Sequence, residues 1–407
     1  MNFNVKSSTF TAMLIVTIAA PAHAQQRGII LPSTSSTWSG GNHPSSANLP
    51  LAQAASASSE ILGNIQPRYN VAPIGVLPGK TASFLSAVRA VNNRQHVTGY
   101  SYVYAGNLFL TGQGFLWQDG QLKALPLLGG WPAAFGFSIN DRDQVVGTAN
   151  NVDASGNILQ TAVLWDHGQP VNLGALHPGW NSAALDINIW GVAVGVSGPV
   201  NTFDFGVATP VVWFGNTVQA LPLLPGETAG TALEINAEGV IAGSQQSATN
   251  LIPCLWYWNG AGYTAVNLGG LGGDVGQAFG INNLNQVVGY SLFPGDIHGE
   301  GFLWDVQHGL KFFLPVPGDT DDGAFNINDL GQVVGQSGVF DNTGKHISQR
   351  AALWENGKVF DLQTLVPSGT LPLTYEIGNI NDLGDIAVNA TNPNGSPAAL
   401  LLVPKRN

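Results

Sequence analysis

Short apolar runs alternate with turn residues along this chain from about residue 69 to residue 404. Most runs are rich in Val, Ile, Leu and Trp and are bounded by Gly, Pro, Asn or Asp, a pattern that predicts β-strands joined by tight turns. One unit contains four such segments, which we name strands a, b, c and d: residues 162–165, 170–176, 182–188 and 191–195. The pattern therefore predicts an all-β chain built from four-stranded units.

An Asn that follows an aliphatic residue recurs at the turn between strands c and d. The seven positions are Asn92, Asn140, Asn188, Asn236, Asn282, Asn328 and Asn381. They are separated by 48, 48, 48, 46, 46 and 53 residues. This period is typical of repeat architectures, because one unit cannot bury its apolar face alone and must pack on its neighbours. We predict a seven-bladed β-propeller of four-stranded blades.

The two ends of the repeat region complement each other. The chain enters at a strand b, residues 71–77, and its last apolar run, residues 399–401, is a strand a. Pairing of the N- and C-terminal strands would complete one blade and leave no bare sheet edge at the closure. We therefore assign residues 69–404 to one closed domain and 405–407 to a short tail.

Three rows of repeated residues have a structural interpretation. The Asn side chain can bind its own backbone two residues further on, which makes a compact turn. A Trp ends six of the seven a strands and is interpreted as core between blades. The Gly seven residues after the Asn, replaced in the last unit by Val388, would allow close packing in strand d.

The repeat resembles the HAF-repeat family of extracellular proteins. The resemblance covers residues 69–404 and rests on an apolar-Leu-Trp strand, a Leu-Gly strand and a hairpin such as residues 281–289, Ile-Asn-Asn-Leu-Asn-Gln-Val-Val-Gly. The His-Ala-Phe tripeptide that names the family is absent. The resemblance implies a propeller-like fold and an extracellular location, and no particular reaction.

The N-terminus has the form of a secretory signal. Lys6, an apolar run and the sequence Ala22-His23-Ala24 predict a signal peptide over residues 1–24. Residues 25–68 are rich in Ser, Ala, Pro and Gln and are interpreted as a flexible, low-complexity leader. We expect a secreted protein, periplasmic or extracellular, with no membrane span.

The net charge and the cysteine content exclude some kinds of partner and cross-link. Without the signal peptide the chain has 13 basic and 25 acidic residues, a balance of −12. Such a surface repels phosphate, so we expect no nucleic-acid partner. Cys254 is the only cysteine, which excludes an internal disulfide. We expect a monomer without a required cofactor.

The connections from strand b to strand c and from strand d to strand a share one face and vary in length and content, and variable loops on a rigid scaffold often carry function. Equivalent points of five successive loops hold two aromatic and three acidic residues: Trp131, Trp180, Glu227, Asp274 and Asp319. Aromatic rings stack on sugars and carboxylates accept from hydroxyl groups, so these residues are candidate glycan ligands. The alternative is that the two Trp side chains pack on neighbouring residues and that the three acidic side chains are solvated.

Two further candidates come from carboxylates. Asp186 and Glu234 occupy equivalent points two residues before the repeated Asn and are a candidate acid-base pair for glycoside chemistry. Asp319, Asp321 and Asp322 offer hard oxygen ligands and are a candidate calcium site. The alternative is that Asp186 and Glu234 are polar residues with hydrogen-bond partners inside the fold, and that the three Asp residues lie in a solvated loop.

We expect a binding or interaction module for extracellular glycan or protein. The first alternative is a polysaccharide-degrading lyase or hydrolase that uses Asp186 and Glu234. The second is a structural surface protein, which the low charged fraction of 10% would suit.

Overall fold

The predicted fold is confirmed. The computed structural model describes residues 67–406, apart from 87, 105, 107–110, 201–207, 296 and 342–345. Within them, seven antiparallel sheets of four strands form the blades of a β-propeller. The predicted signal peptide and nearly all of the predicted leader lie outside the described residues.

Each blade contains strands c, d, a and b, counted outwards from the central axis. Blades 1 to 3 are formed by β2 (Ala82–Phe84), β3 (Val97–Tyr102), β4 (Gln113–Gln118) and β5 (Gln121–Ala124); β6 (Ala133–Ile139), β7 (Val145–Val152), β8 (Ile158–Asp166) and β9 (Gln169–Asn172); β10 (Trp180–Ile187), β11 (Val192–Pro199), β12 (Thr209–Phe214) and β13 (Thr217–Ala220).

The next three blades follow in the same order along the chain. Blades 4 to 6 are formed by β14 (Ala229–Ile235), β15 (Ile241–Gln246), β16 (Leu251–Trp258) and β17 (Tyr263–Asn267); β18 (Gly276–Ile281), β19 (Val287–Leu292), β20 (Gly299–Asp305) and β21 (Gly309–Phe312); β22 (Asp321–Ile327), β23 (Val333–Phe340), β24 (His346–Glu355) and β25 (Lys358–Asp361).

Blade 7 joins the two ends of the repeat region. Its strands are β26 (Leu373–Ile380), β27 (Ile386–Thr391), β28 (Pro397–Pro404) and, outermost, β1 (Tyr69–Pro73). The pairing of β1 with β28 runs from Tyr69 opposite Pro404 to Pro73 opposite Leu400. This is the predicted closure, and it protects the edges that an open ring would leave unpaired. A short 3-10 helix, Leu362–Leu365, precedes β26.

Apolar side chains fill part of the central channel. Strand c of blades 2 to 6 contains a β-bulge three residues before the repeated Asn, and the bulged residues are Phe137, Leu185, Leu233, Phe279 and Phe325. The first three are buried in one cluster against Phe279, whose ring lies 5.3 Å from that of Phe325. Since these residues come from five blades, they form an apolar layer across the channel.

The bulge explains the repeated Gly of strand d. A Cβ on Gly147 would lie 1.8 Å from the carbonyl oxygen of Phe135, and one on Gly195 would lie 2.0 Å from that of Ala183. Both carbonyls belong to the bulged region of strand c, which leaves no room for a side chain. The repeated Gly is therefore a packing requirement.

The repeated Trp packs between blades. Trp165, Trp213 and Trp256 are at most 1% exposed. The indole N–H of Trp165 donates to the carbonyl of Pro126 in the preceding blade at 2.8 Å, and Trp256 donates likewise to Pro222 at 2.7 Å. The described part of the chain contains no helix with the length and hydrophobicity that a membrane crossing requires.

Candidate functional site

The seven repeated Asn side chains form a closed hydrogen-bonded ring. Each Oδ1 accepts from backbone N–H groups two and four residues further on, as Asn188 does from Trp190 and Val192 at 3.0 Å. Each Nδ2 donates to the backbone carbonyl of the Asn in the next blade, at 2.8 to 3.2 Å. Asn381 closes the ring on Asn92. We call these seven residues the ring asparagines.

The residues that follow the ring asparagines form a second, incomplete ring. In blades 6, 7, 1 and 2 these residues are Asp329, Asp382, Asn93 and Asp141, which we call the acidic arc. Each backbone N–H donates to the side chain of the next member, at 2.7 to 2.8 Å. In blades 3 and 4 the same position holds Ile189 and Ala237, so the second ring has an apolar segment opposite the arc.

The residues in the layer beneath the ring asparagines vary between blades. Arg89 of blade 1 lies three residues before Asn92, where blades 2 to 6 have their bulged apolar residues. Its guanidinium crosses the channel to blade 4, where Nη2 donates to Glu234 Oε1 at 2.6 Å and Nη1 donates to the carbonyl of Ile235 at 3.4 Å. The side chain of Arg89 therefore extends from blade 1 across the central axis to blade 4.

Glu234 is held from three sides in this layer. Besides Arg89, its Oε2 accepts from Asn326 Nδ2 of blade 6 at 3.0 Å and from the backbone N–H of Ile281 at 3.2 Å. Gly280 lies between the two blades, and a Cβ there would be 3.1 Å from Glu234 Oε2. Burial raises the pKa of Glu234 to about 7, with Arg89 opposing this shift and Asp186 adding to it.

Asp186 is fully buried on the same side of the channel. Ser138 of blade 2 donates to its Oδ1, and the backbone N–H of Ile235 donates to its Oδ2 at 2.9 Å. The same oxygen lies 3.9 Å from Arg89 Nη1. The structure thus brings the two predicted carboxylates together around one guanidinium.

These layers enclose a cavity of about 200 Å³ at the mouth of the channel, on the face formed by the c–d turns. Arg89 and Glu234 lie at its base, and the ring asparagines and the acidic arc form much of its wall. Asn379 also lines it, is 2% exposed, and its Oδ1 has no hydrogen-bond partner. A buried acceptor without a partner in a polar cavity is an available contact for a ligand.

An exposed indole lies beside this cavity. Trp190, two residues after Asn188, is 66% exposed, and its Nε1 donates to the carbonyl of Ala237 at 2.9 Å. Ala237 and Ile189 both line the cavity. The hydrogen bond fixes a large aromatic surface at the apolar side of the mouth, opposite the acidic arc.

The two aromatic residues predicted as glycan ligands are less available. Trp131 is half-buried and packs on the cluster that contains Leu125 and Trp165. Trp180 is half-buried at the start of β10, with its ring 4.4 Å from that of His177. Both lie at the b–c connections, on the face opposite the cavity, and their assignment as ligands stays a prediction.

The three acids predicted with them have different surroundings. Asp274 is exposed, whereas Asp319 makes an ion pair with Arg350 at 3.0 Å and accepts from Ser337 Oγ at 2.7 Å. Burial raises the pKa of Glu227, which a hydrogen bond from Asn250 opposes. A shared site for these three carboxylates stays a prediction.

The calcium candidates have other partners. Asp321 accepts from His298 Nδ1 at 3.0 Å, and Asp322 accepts from the backbone N–H of Gly301 at 2.5 Å. Burial raises the pKa of Asp322 to about 8, which favours its neutral form, a poor calcium ligand. Among the described residues, no group of three or more such side chains is placed to hold a metal ion.

Sequence reasoning missed Arg89, Asn379 and Trp190. Arg89 is the one charged residue in a row that is otherwise apolar or Gly, and Trp190 is a Trp outside the a-strand row. Residues that depart from the repeat were therefore the sequence signal that could have identified these site residues.

No family model matches the chain, and no curated protein matches it either. Among solved structures it is similar to an oligogalacturonate lyase from Vibrio parahaemolyticus, with 10% identity, a TM-score of 0.51 and coverage of 83% of this chain and 97% of that one. It is also similar to the β-propeller domain of the Trilobed protease from Pyrococcus furiosus, with 10% identity, a TM-score of 0.47 and coverage of 79% and 94%. At such identities the likeness concerns the fold alone.

Proposed function

We propose that this protein is an exported glycan-binding module that holds a sugar chain at the mouth of its central channel. The observation that carries the proposal is Trp190, an exposed indole fixed beside a polar cavity. Sugars present an apolar face of C–H groups and an edge of hydroxyl groups. An aromatic platform next to amide and carboxylate acceptors suits both.

The composition of the cavity supports a hydroxyl-rich ligand. Asparagine and aspartate side chains form much of its wall, and Arg89 and Glu234 lie at the base. Most of these groups already hold one another in place, so the site is rigid before a ligand arrives. A preformed site loses little conformational entropy on binding.

The test is a panel of oligosaccharides added to the purified protein, with melting temperature and titration calorimetry as readouts. We expect a bound glycan to raise the melting temperature, and we expect Trp190→Ala to weaken binding by about tenfold or more, in line with the loss of an aromatic contact. Trp258→Ala is the matched control, because Trp258 is 54% exposed on the same face but lies at the end of a strand a and packs on Tyr263, whereas Trp190 is bonded to the cavity wall. Absence of binding to every glycan, or equal loss in the two variants, would refute the proposal.

A second candidate function, a polysaccharide-degrading enzyme, is favoured by one observation. The pKa of Glu234, raised to about 7, is suited to general acid-base catalysis near neutral pH. Against it, Asp186 is fully buried and both of its oxygens already accept hydrogen bonds. Mass spectrometry of the same incubations distinguishes the two: released fragments that disappear in Glu234→Gln would indicate an enzyme.

A further inference from the structure

We propose that the channel mouth selects glycans that carry protonated amino groups over neutral and acidic ones. This inference rests on the proposed glycan-binding function and names its ligand class. It follows from the charge of the acidic arc and from the unpartnered acceptor of Asn379.

The carboxylates of the acidic arc have only neutral hydrogen-bond donors. Asp141 accepts from the backbone and side chain of Asn93, at 2.7 and 3.1 Å. Asp329 accepts in the same way from Asn283, at 2.8 and 2.9 Å. Asp382 accepts from the backbone N–H of Asp329 and from Asn93 Nδ2, both at 2.8 Å.

No cationic side chain among the described residues lies within ion-pair distance of these three carboxylates. Arg89, at the base of the cavity, is paired with Glu234, and Arg94 on the rim is paired with Asp143. Arg142 is exposed in the turn after Asp141, and Glu238 adds an acid on the opposite side. The mouth therefore has a net negative charge, in agreement with the −11 of the whole chain.

The second observation lies below the arc. Asn379 Oδ1 is an acceptor without a partner in the cavity wall, and its residue is 2% exposed. An ammonium group has three N–H donors and a positive charge. An ammonium group could donate to Asn379 and also neutralise part of the charge of the acidic arc. A hydroxyl group could donate the hydrogen bond but has no charge.

An ammonium group suits this mouth better than a metal ion. The oxygens of the arc already accept hydrogen bonds, and their carboxylates belong to three different blades. No group of three or more metal-binding side chains converges among the described residues. Without such a convergent set a metal ion would have too few protein ligands, whereas a sugar ammonium needs only hydrogen-bond acceptors and can lie beside the ring of Trp190.

Titration calorimetry with three oligosaccharides of equal length tests the inference. The probes are β-1,4-linked glucosamine, its N-acetylated form and oligogalacturonate. We expect the purified protein to bind glucosamine about tenfold more tightly than the N-acetylated form. This preference should disappear at about 1 M NaCl, where the Debye length is about 3 Å.

The variants Asp382→Asn and Asp329→Asn should each reduce the preference for glucosamine. Asp119→Asn is the matched control, because Asp119 is an exposed acid on the same face outside the cavity wall. Equal binding of the amino and N-acetyl forms, or tighter binding of oligogalacturonate, would overturn the inference and leave glycan binding intact. Binding of none of the three would count against the proposed function itself.

Calcium chloride alone is the last probe. Tight calcium binding that Asp382→Asn abolishes, without a preference for glucosamine, would overturn the inference and indicate a metal ion at this site in place of the ammonium group.

Discussion

Two adjacent layers of the central channel are built in opposite ways. The ring asparagines are identical in all seven blades, and each repeats the same three hydrogen bonds. The residues of the layer beneath them vary between blades, and Arg89 crosses this layer to reach Glu234. Identical residues satisfy a requirement that every blade shares, whereas a layer of different residues can define one ligand and one orientation.

The two layers also differ in their tolerance of change. A ring asparagine must accept and donate at once, and Asn is the residue of this size that can do both. In the layer beneath, charge and hydrogen bonds are distributed over several partners. The following predictions test this difference, from the largest expected effect to the smallest.

Asn188→Asp should cause the largest loss of stability. The new carboxylate keeps its acceptor role toward Trp190 and Val192, but it cannot donate to the carbonyl of Asn236 and places two oxygens against each other. We expect the free energy of unfolding to fall by about 2–4 kcal/mol, as for a buried polar group left unsatisfied. Urea denaturation at neutral pH measures it.

The control is Asn216→Asp, which adds the same charge at an exposed turn and should change stability by less than about 0.5 kcal/mol. The cost of Asn188→Asp should decrease at low pH, because a protonated carboxyl can donate again. Equal effects of the two substitutions would show that the ring contributes little.

The stability of the protein should depend on pH through Glu234. Its pKa in the folded protein is raised from an ordinary value of 4.5 to about 7, so the folded state binds the proton more tightly. The free energy of unfolding should therefore fall as pH rises from about 4.5 to about 7, with a slope of at most about 1.4 kcal/mol per pH unit from this group. Denaturation at several pH values measures the slope.

Glu234→Gln should flatten this dependence, since the amide does not titrate. Asp322, on the opposite face, contributes with the same sign up to about pH 8 because burial raises its pKa to about 8. Asp322→Asn should therefore remove the part of the slope above pH 7. An unchanged slope in both variants would mean that neither carboxyl is protonated in the folded protein near neutral pH.

Gly280→Ala should separate Glu234 from Asn326. The added Cβ would lie 2.9 Å from the Cα of Asn326 and 3.1 Å from Glu234 Oε2, so one of them must move. We expect a loss of about 1–3 kcal/mol in thermal or urea denaturation, typical of overpacking. Gly262→Ala, at a position with no atom within 4 Å, is the control and should be nearly neutral.

Trp190→Ala should have the smallest effect on stability. Although it lies two residues from Asn188 in the same turn, its side chain is 66% exposed and makes one hydrogen bond, to Ala237. We expect less than about 1 kcal/mol in urea denaturation. A large loss would indicate that the indole belongs to the scaffold, which would weaken the case for a glycan platform.

Most of the fold could be predicted from the sequence because its determinants repeat. The spacing of the Asn, Trp and Gly residues defined seven blades, and the unmatched strands at the two ends predicted the pairing of β1 with β28. The ring itself could not be predicted, because the bond from Asn188 to Asn236 joins residues 48 positions apart in different blades.

The site was predicted only in part. The repeat places Asp186 and Glu234 at equivalent positions, but their common partner Arg89 is about 100 to 145 residues away in sequence. Loop variation favours Trp131 and Trp180 as ligands, yet both are half-buried and lie on the face opposite the cavity. Variation in a loop does not report which of its side chains remain exposed.

The sequence by itself determined the number of blades, their strands and their closure, since periodic local patterns act within each unit of about 48 residues. Only the tertiary structure decided which strand lies innermost and therefore which side chains face the channel. Closure of the ring brings Arg89, Glu234 and Asn326 from three blades to within hydrogen-bond distance. Such contacts depend on the geometry of the whole ring, and no local sequence pattern encodes them.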